Sequence, residues 1–238
     1  MAVIYFIRHG QASFGRKDYD QLSGVGERQA RILGHHLQRV APRLDLFCSG
    51  GLARQDHTAE LTRDAMGNAA PPLTTDTAFS EYDHEALFRA YLPGFLQRED
   101  AGATSLEELL ADHRKLERAL RHVLSAWMEG RPHDGPPVKS WSHFCDDVVA
   151  GVSDLMAGLN PKSRVVVFTS GGVITAVMRS VLGLSHLRTL GLTLSIYNAS
   201  VTQIYCSRTD NFNGALLLGY NNISHLEMTG DRDLITFR

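Results

Sequence analysis

Three short apolar runs punctuate the chain, and each ends abruptly on polar residues. Val3 to Ile7 is uninterrupted and β-rich, long enough for a strand buried on both faces, and is cut off by Arg8-His9-Gly10. Asp45 to Cys48 is a shorter strand candidate that runs into Ser49-Gly50-Gly51, and Val165 to Phe168 is again continuous before Thr169-Ser170-Gly171-Gly172. Helical periodicity follows each run. Ala30, Leu33 and Leu37 predict a helix from about Gly24 to Val40 with Ser23 as its N-cap; a second carries Arg54 and Thr58; a third spans Val173 to about Leu182.

Between the second and third units the pattern changes. A stretch from Asp76 rich in carboxylates and histidines reads as a loop. Ser105 to Gly130 then places Leu106, Leu109, Leu110, Leu116, Leu120 and Leu124 among charges, as an amphipathic helix does. Arg131 to Pro137 breaks the chain before a helix over about Ser140 to Gly158, in which Trp141 and Phe144, like Trp127 before it, fall at core positions. Val201 to Cys206 and Ala215 to Leu218 predict two adjacent antiparallel strands across the polar turn Ser207 to Asn213. Strands alternating with helices imply an α/β protein: a three-layer α/β/α sandwich with a mainly parallel sheet. One domain is expected over residues 1–238, with a helical insertion from about Phe79 to Pro137 capping the site.

Composition narrows the function. The 238 residues carry 24 Lys plus Arg against 26 Asp plus Glu, a formal charge of -2, so nothing in the bulk charge draws the protein to nucleic acid or an anionic membrane. Anion recognition, if present, must be local. Cys48, Cys145 and Cys206 are odd in number and far apart, which excludes a disulfide framework and a CxxC-type zinc site and suits a reducing, cytoplasmic compartment. The N-terminal apolar run is too short for a signal peptide or membrane span. No cofactor and no metal site is expected, since the scattered histidines show no ligand spacing.

In a parallel sheet, ligands bind outside the carboxyl ends of the strands. Arg8 and His9 follow the first strand, Arg54 follows the second, and Ser170-Gly171 opens a helix after the third. Two guanidiniums, an imidazole and exposed amides at a helix start suit a tetrahedral dianion such as a phosphoryl group. Without a metal to generate hydroxide, transfer needs a protein nucleophile, and His9 is the candidate. A carboxylic acid from Ser80-Glu81-Tyr82-Asp83-His84-Glu85 would protonate the leaving alkoxide, with Glu81 the first choice and Asp83 and Glu85 the alternatives. The competing reading of Arg54 is an exposed pair with Asp56 or Glu60.

Ile7-Arg8-His9-Gly10-Gln11 after the first strand resembles the signature of the histidine phosphatase superfamily, in its phosphoglycerate mutase-like branch. Further matches keep the family order: Leu22-Ser23 with Gly26 and Gln29-Ala30; Ser49, Leu52, Arg54 and Thr58-Ala59-Glu60; Ser80-Glu81-Tyr82-Asp83; Ser170-Gly171-Gly172; Asn198-Ala199-Ser200; and Asn222 to Leu226. The resemblance implies His9 as nucleophile, Arg8 and Arg54 as phosphate ligands and Glu81 as proton donor. It also implies a second histidine where this chain has Ser170, and an asparagine at Gly15, which leaves that contact to the Gly15 backbone or to Ser13. A neutral serine stabilises transition-state charge less than an imidazole. Three functions follow in order: a metal-independent phosphomonoesterase acting on a small phosphorylated metabolite, a catalytically weak phosphate-ester-binding protein, and a phosphomutase. The oligomeric state, a homodimer included, stays open.

Overall fold

The computed structural model describes residues 2–13, 20–206 and 214–237. Six strands form one sheet in the order β3-β2-β4-β1-β5-β6. Their ranges are β1 Ala2–Arg8, β2 Leu46–Ser49, β3 Leu73–Thr75, β4 Arg164–Thr169, β5 Val201–Cys206 and β6 Leu216–Asn222. β1, β2, β3 and β4 run parallel, whereas β5 is antiparallel to both β1 and β6. The expected pairing of the last two strands is present; the turn assigned to residues 207–213 lies outside the described residues.

The two faces of the sheet account for the continuous apolar runs. Alternation sends Ile4, Phe6, Val165 and Val167 to one face, and Tyr5, Ile7, Val166 and Phe168 to the other. Helices α1 (Gly24–Val40) and α2 (Ala53–Met66) cover the second face with Leu33, Leu37, Ala59 and Met66. Helices α6 (Trp141–Ala157) and α7 (Gly171–Leu182) cover the first with Val148, Val152, Val173 and Val177. This is the three-layer α/β/α arrangement, and because both faces are covered the central strands need no polar side. Ser23 caps α1 as its sequence suggests, its hydroxyl accepting from the Gly26 N–H at 3.1 Å.

The region between β3 and α6 departs from the sequence reading. The segment read as a loop contains α3 (His84–Leu96), whose Leu87, Ala90, Tyr91 and Phe95 are buried at helical spacing. Its polar first turn, His84-Glu85, hides that periodicity. The run read as one helix is two, α4 (Leu106–Leu110) and α5 (His113–Met128), because Asp112 caps the second by accepting from Arg114 N–H at 2.9 Å. α8 (His186–Thr193) and the edge strand β3 carry weak patterns and were not expected; a short α9 (Ser224–Glu227) lies near the chain end. Among the described residues no helix is long and apolar enough to cross a membrane.

Candidate active site

β2, β4 and β1 are neighbours, so their carboxyl ends bring Ser49, Thr169 and Arg8 to one rim. His9, 5% exposed, is fixed there by its own backbone: its N–H donates to Thr169 O at 2.9 Å, while its carbonyl accepts from Ala199 N–H at 3.3 Å and Asn198 Nδ2 at 3.2 Å. The ring is equally constrained. Nδ1 lies 2.7 Å from the Gly10 carbonyl, to which only an N–H can donate, so Nε2 carries the lone pair and accepts from Arg54 Nε at 3.2 Å. Burial, and then the charges of Arg54 and Arg8, hold the His9 pKa well below that of an ordinary histidine. Both effects favour the neutral ring, whose Nε2 lies beside a guanidinium.

Gly10 permits this arrangement by close approach. A Cβ there would fall 2.5 Å from the Gly26 carbonyl at the start of α1, and the Gly10 N–H donates to Thr58 Oγ1 at 3.0 Å. The matches at Gly26 and Thr58 are thus packing partners of the histidine turn.

Arg54, buried in the first turn of α2, pairs with neither Asp56 nor Glu60. Its partner is Asp20, whose Oδ1 accepts from Arg54 NH1 at 2.5 Å and whose Oδ2 accepts from Ala53 N–H at 2.9 Å. One carboxylate thereby orients the guanidinium and caps the helix that carries it. Asp56 instead accepts from the Ser49 hydroxyl. Arg8 is anchored through NH1 to the carbonyls of Ile196 and Phe237, the latter at 3.0 Å.

The three loop carboxylates differ in position. Glu81 rests on the start of α7, Oε2 accepting from Gly172 N–H at 3.1 Å, and burial raises its pKa above the usual carboxylate value despite that bond and the nearby arginines. A carboxyl so placed holds its proton more readily than a solvated one. Asp83 is exposed and caps α3 through Ala86 N–H at 2.9 Å; Glu85 pairs with Arg89 at 3.5 Å on the surface. Tyr82 backs the acid, its ring 4.8 Å from Trp127 and 5.8 Å from Phe144, so those core aromatics buttress the loop. His84 is exposed as a residue, yet partial burial of its ring and then Arg54's charge lower its pKa.

Ser170 is fully buried at the N-cap of α7, and its Oγ accepts from Gln55 Nε2 at 2.8 Å. Gly171 follows it next to Arg8, with room for a Cβ 4.0 Å from that guanidinium. Ser13 commits both its donors within its loop, N–H to Gln21 O at 2.8 Å and hydroxyl to Leu22 O at 3.2 Å; Gly15 lies outside the described residues. The arrangement therefore brings together His9, Arg8, Arg54, Glu81, Ser170 and Gly171. Asp20, Gln55 and Asn198 join them without having been singled out for a role; Asn198 falls within one of the family matches, whereas nothing local in the sequence marks Asp20 or Gln55. Among the described residues no group of three His, Cys, Asp or Glu side chains is placed to hold a metal ion.

The model of the histidine phosphatase superfamily (branch 1) matches residues 4–88 and 105–214. No curated protein sequence matches the chain. Among solved structures, a mycobacterial glucosyl-3-phosphoglycerate phosphatase is similar at 22% identity and a TM-score of 0.63, covering 92% of this chain and 98% of that one. The phosphoserine phosphatase of Entamoeba histolytica is similar at 17% identity and 0.59, covering 95% and 100%. Phosphoglycerate mutase of Bacillus anthracis is similar at 20% identity and 0.62, covering 97% of each chain. At such identities the likeness is one of fold, which is the phosphoglycerate mutase-like fold.

Proposed function

This chain belongs to branch 1 of the histidine phosphatase superfamily, and from that premise we propose that it hydrolyses phosphomonoesters of small metabolites through a phosphohistidine on His9. The observation that carries the reading is the His9 ring: its Nδ1–H is tied to Gly10 O at 2.7 Å, its pKa is depressed, and its Nε2 lone pair is presented beside Arg54. Nε2 attacks phosphorus as the P–O bond to the leaving group breaks, and Glu81 delivers its proton to the departing oxygen. Water then attacks the phosphohistidine, Glu81 recovers a proton from it, and the P–N bond breaks to release phosphate. Arg8, Arg54, Ser170 and the N-terminal amide of Gly171 spread the charge of the transferring group; with both Ser13 donors committed elsewhere, the Gly15 backbone is the remaining candidate for that cradle. In this reading helices α3 to α5 form the cap over the site, no metal takes part, the protein is cytoplasmic, and a homodimer is compatible with it.

One observation favours a second reading. Ser170 stands where the family resemblance places an imidazole, and a protein lacking that donor binds phosphate esters with little turnover, as a sensor or regulator does. A phosphomutase would instead exchange phosphoryl positions without releasing phosphate. A panel of phosphomonoesters assayed for phosphate release with EDTA present separates the three. The phosphatase reading expects turnover that EDTA leaves intact and that His9→Ala abolishes. Phosphate-ester binding without release by the wild type would overturn it in favour of the second reading.

A further inference from the structure

Gln55 is a fully buried polar side chain in the floor of the site that the reaction above leaves unused. Its orientation follows from its partners: Oε1 accepts from Leu52 N–H at 3.2 Å, which turns Nε2 toward Ser170 Oγ at 2.8 Å and the Phe79 carbonyl at 3.4 Å. A hydroxyl that accepts this N–H keeps its own proton to donate, and in a buried chain of hydrogen bonds it does so more strongly. Ser170 Oγ makes no capping bond to α7, so it is not spent on the helix terminus. It also follows Thr169, whose carbonyl receives the His9 N–H at 2.9 Å, which keeps residue 170 against the nucleophile's backbone.

We propose that Gln55 is a positioning residue that directs the Ser170 hydroxyl proton at the phosphoryl group on His9, so that an amide and a hydroxyl together supply an uncharged donor in place of a second imidazole. The inference rests on the phosphatase reading of the site and deepens it; no bond to Ser170 or Gln55 forms or breaks. It also has a steric consequence. Residues 55 and 170 are both fully buried, so the Gln55 side chain fills the room that a larger side chain at 170 would need. Introducing histidine at 170 therefore harms the site while Gln55 is present and helps once it is shortened.

The test uses orthovanadate as a phosphoryl probe, by titration calorimetry on the full chain, so that it reads the site whether or not turnover occurs. Ser170→Ala and the near-isosteric Gln55→Met are each expected to weaken vanadate binding by about 10- to 100-fold, the range for losing a hydrogen bond to a charged group. The double variant should lose no more than either single one. Gln55→Glu, which makes Ser170 donate to the new carboxylate, should do the same and serves if Gln55→Met does not fold. Ser170→His should bind poorly, and Gln55→Ala added to it should restore binding, a rescue that a purely structural role would not produce. Wild-type affinity in Gln55→Met or Gln55→Glu, multiplicative losses in the double variant, or undiminished binding by Ser170→His would overturn the pair. If the wild type binds vanadate but releases phosphate from no ester, the phosphatase reading falls while the cycle still decides the pair; a wild type that binds no vanadate overturns both.

Discussion

Gly172→Ala puts the placement of Glu81 under direct strain. A Cβ on residue 172 would lie 2.1 Å from Glu81 Oε1 and 2.6 and 2.7 Å from two carbons of the Tyr82 ring. Ordinary contact begins near 3.4 Å, so something must give by about 1 Å. Tyr82 has little room to retreat, because Trp127 and Phe144 stand behind it at 4.8 and 5.8 Å. The carboxylate therefore moves, losing its bond to Gly172 N–H. Overpacking of this kind costs about 1–3 kcal/mol of stability. Displacing the acid by about 1 Å lowers kcat/KM by about 100-fold where protonation of the leaving group matters. Steady-state phosphate release should accordingly fall steeply for an alkyl phosphate, whose alkoxide needs the proton, and far less for p-nitrophenyl phosphate, whose phenolate does not. Gly94→Ala in α3 is the control: no heavy atom lies within 4 Å of its Cβ, and helix propensity predicts a gain of about 0.5–1 kcal/mol with unchanged activity. Wild-type kcat/KM on the alkyl phosphate in a folded Gly172→Ala would refute the assignment of Glu81 as the acid.

Other outcomes follow from the same geometry. Because burial raises the Glu81 pKa and the reaction uses its protonated form, kcat/KM for alkyl phosphates should decline as pH rises through that raised value, and Glu81→Gln should remove this limb. His225, 4% exposed with its ring centroid 5.3 Å from that of His36, has its pKa lowered by burial and then by His36 from 6.5 to about 4. The unfolded chain binds a proton there that the folded chain refuses, so stability present above pH 6.5 is lost as pH falls toward 4, by up to about 3 kcal/mol at 1.36 kcal/mol per unit. Urea unfolding across that window should show the loss, and His225→Phe should flatten it; an unchanged slope in the variant counts against the assignment. Asp20→Ala, which removes the cap of α2 and the partner of Arg54, should cost about 1–2 kcal/mol in the same unfolding assay and weaken vanadate binding.

What the sequence revealed was whatever is encoded locally. Uninterrupted apolar runs at Val3 to Ile7 and Val165 to Phe168 announce strands with two covered faces, and a serine before Gly24 announces a helix start, because these signals depend on neighbours a few residues away. The strand, turn and helix grammar alone places His9, Arg54 and Ser170 on one rim. What escaped depends on the register of distant elements. Asp20 reaches Arg54 across 34 residues, Gln55 reaches Ser170 across 115 and Asn198 reaches His9 across 189. None of those separations leaves a periodic trace. The helix α3 was lost for a different reason: the acidic residues that read as a loop are its cap, Asp83, and its exposed first turn, while its apolar stripe begins only at Leu87. Glu81, the first choice by sequence, differs from Asp83 and Glu85 in a way the sequence does not show: all three are loop carboxylates, and only Glu81 rests on the amide end of α7.

Trapping the intermediate tests the central claim most directly. The wild type is mixed with p-nitrophenyl phosphate in excess EDTA, denatured by alkali during turnover, and examined by phosphorus NMR and peptide mapping. The account predicts an alkali-stable, acid-labile phosphoryl group on Nε2 of His9 that His9→Ala lacks. Turnover without such a group, or the same group persisting in His9→Ala, would contradict it.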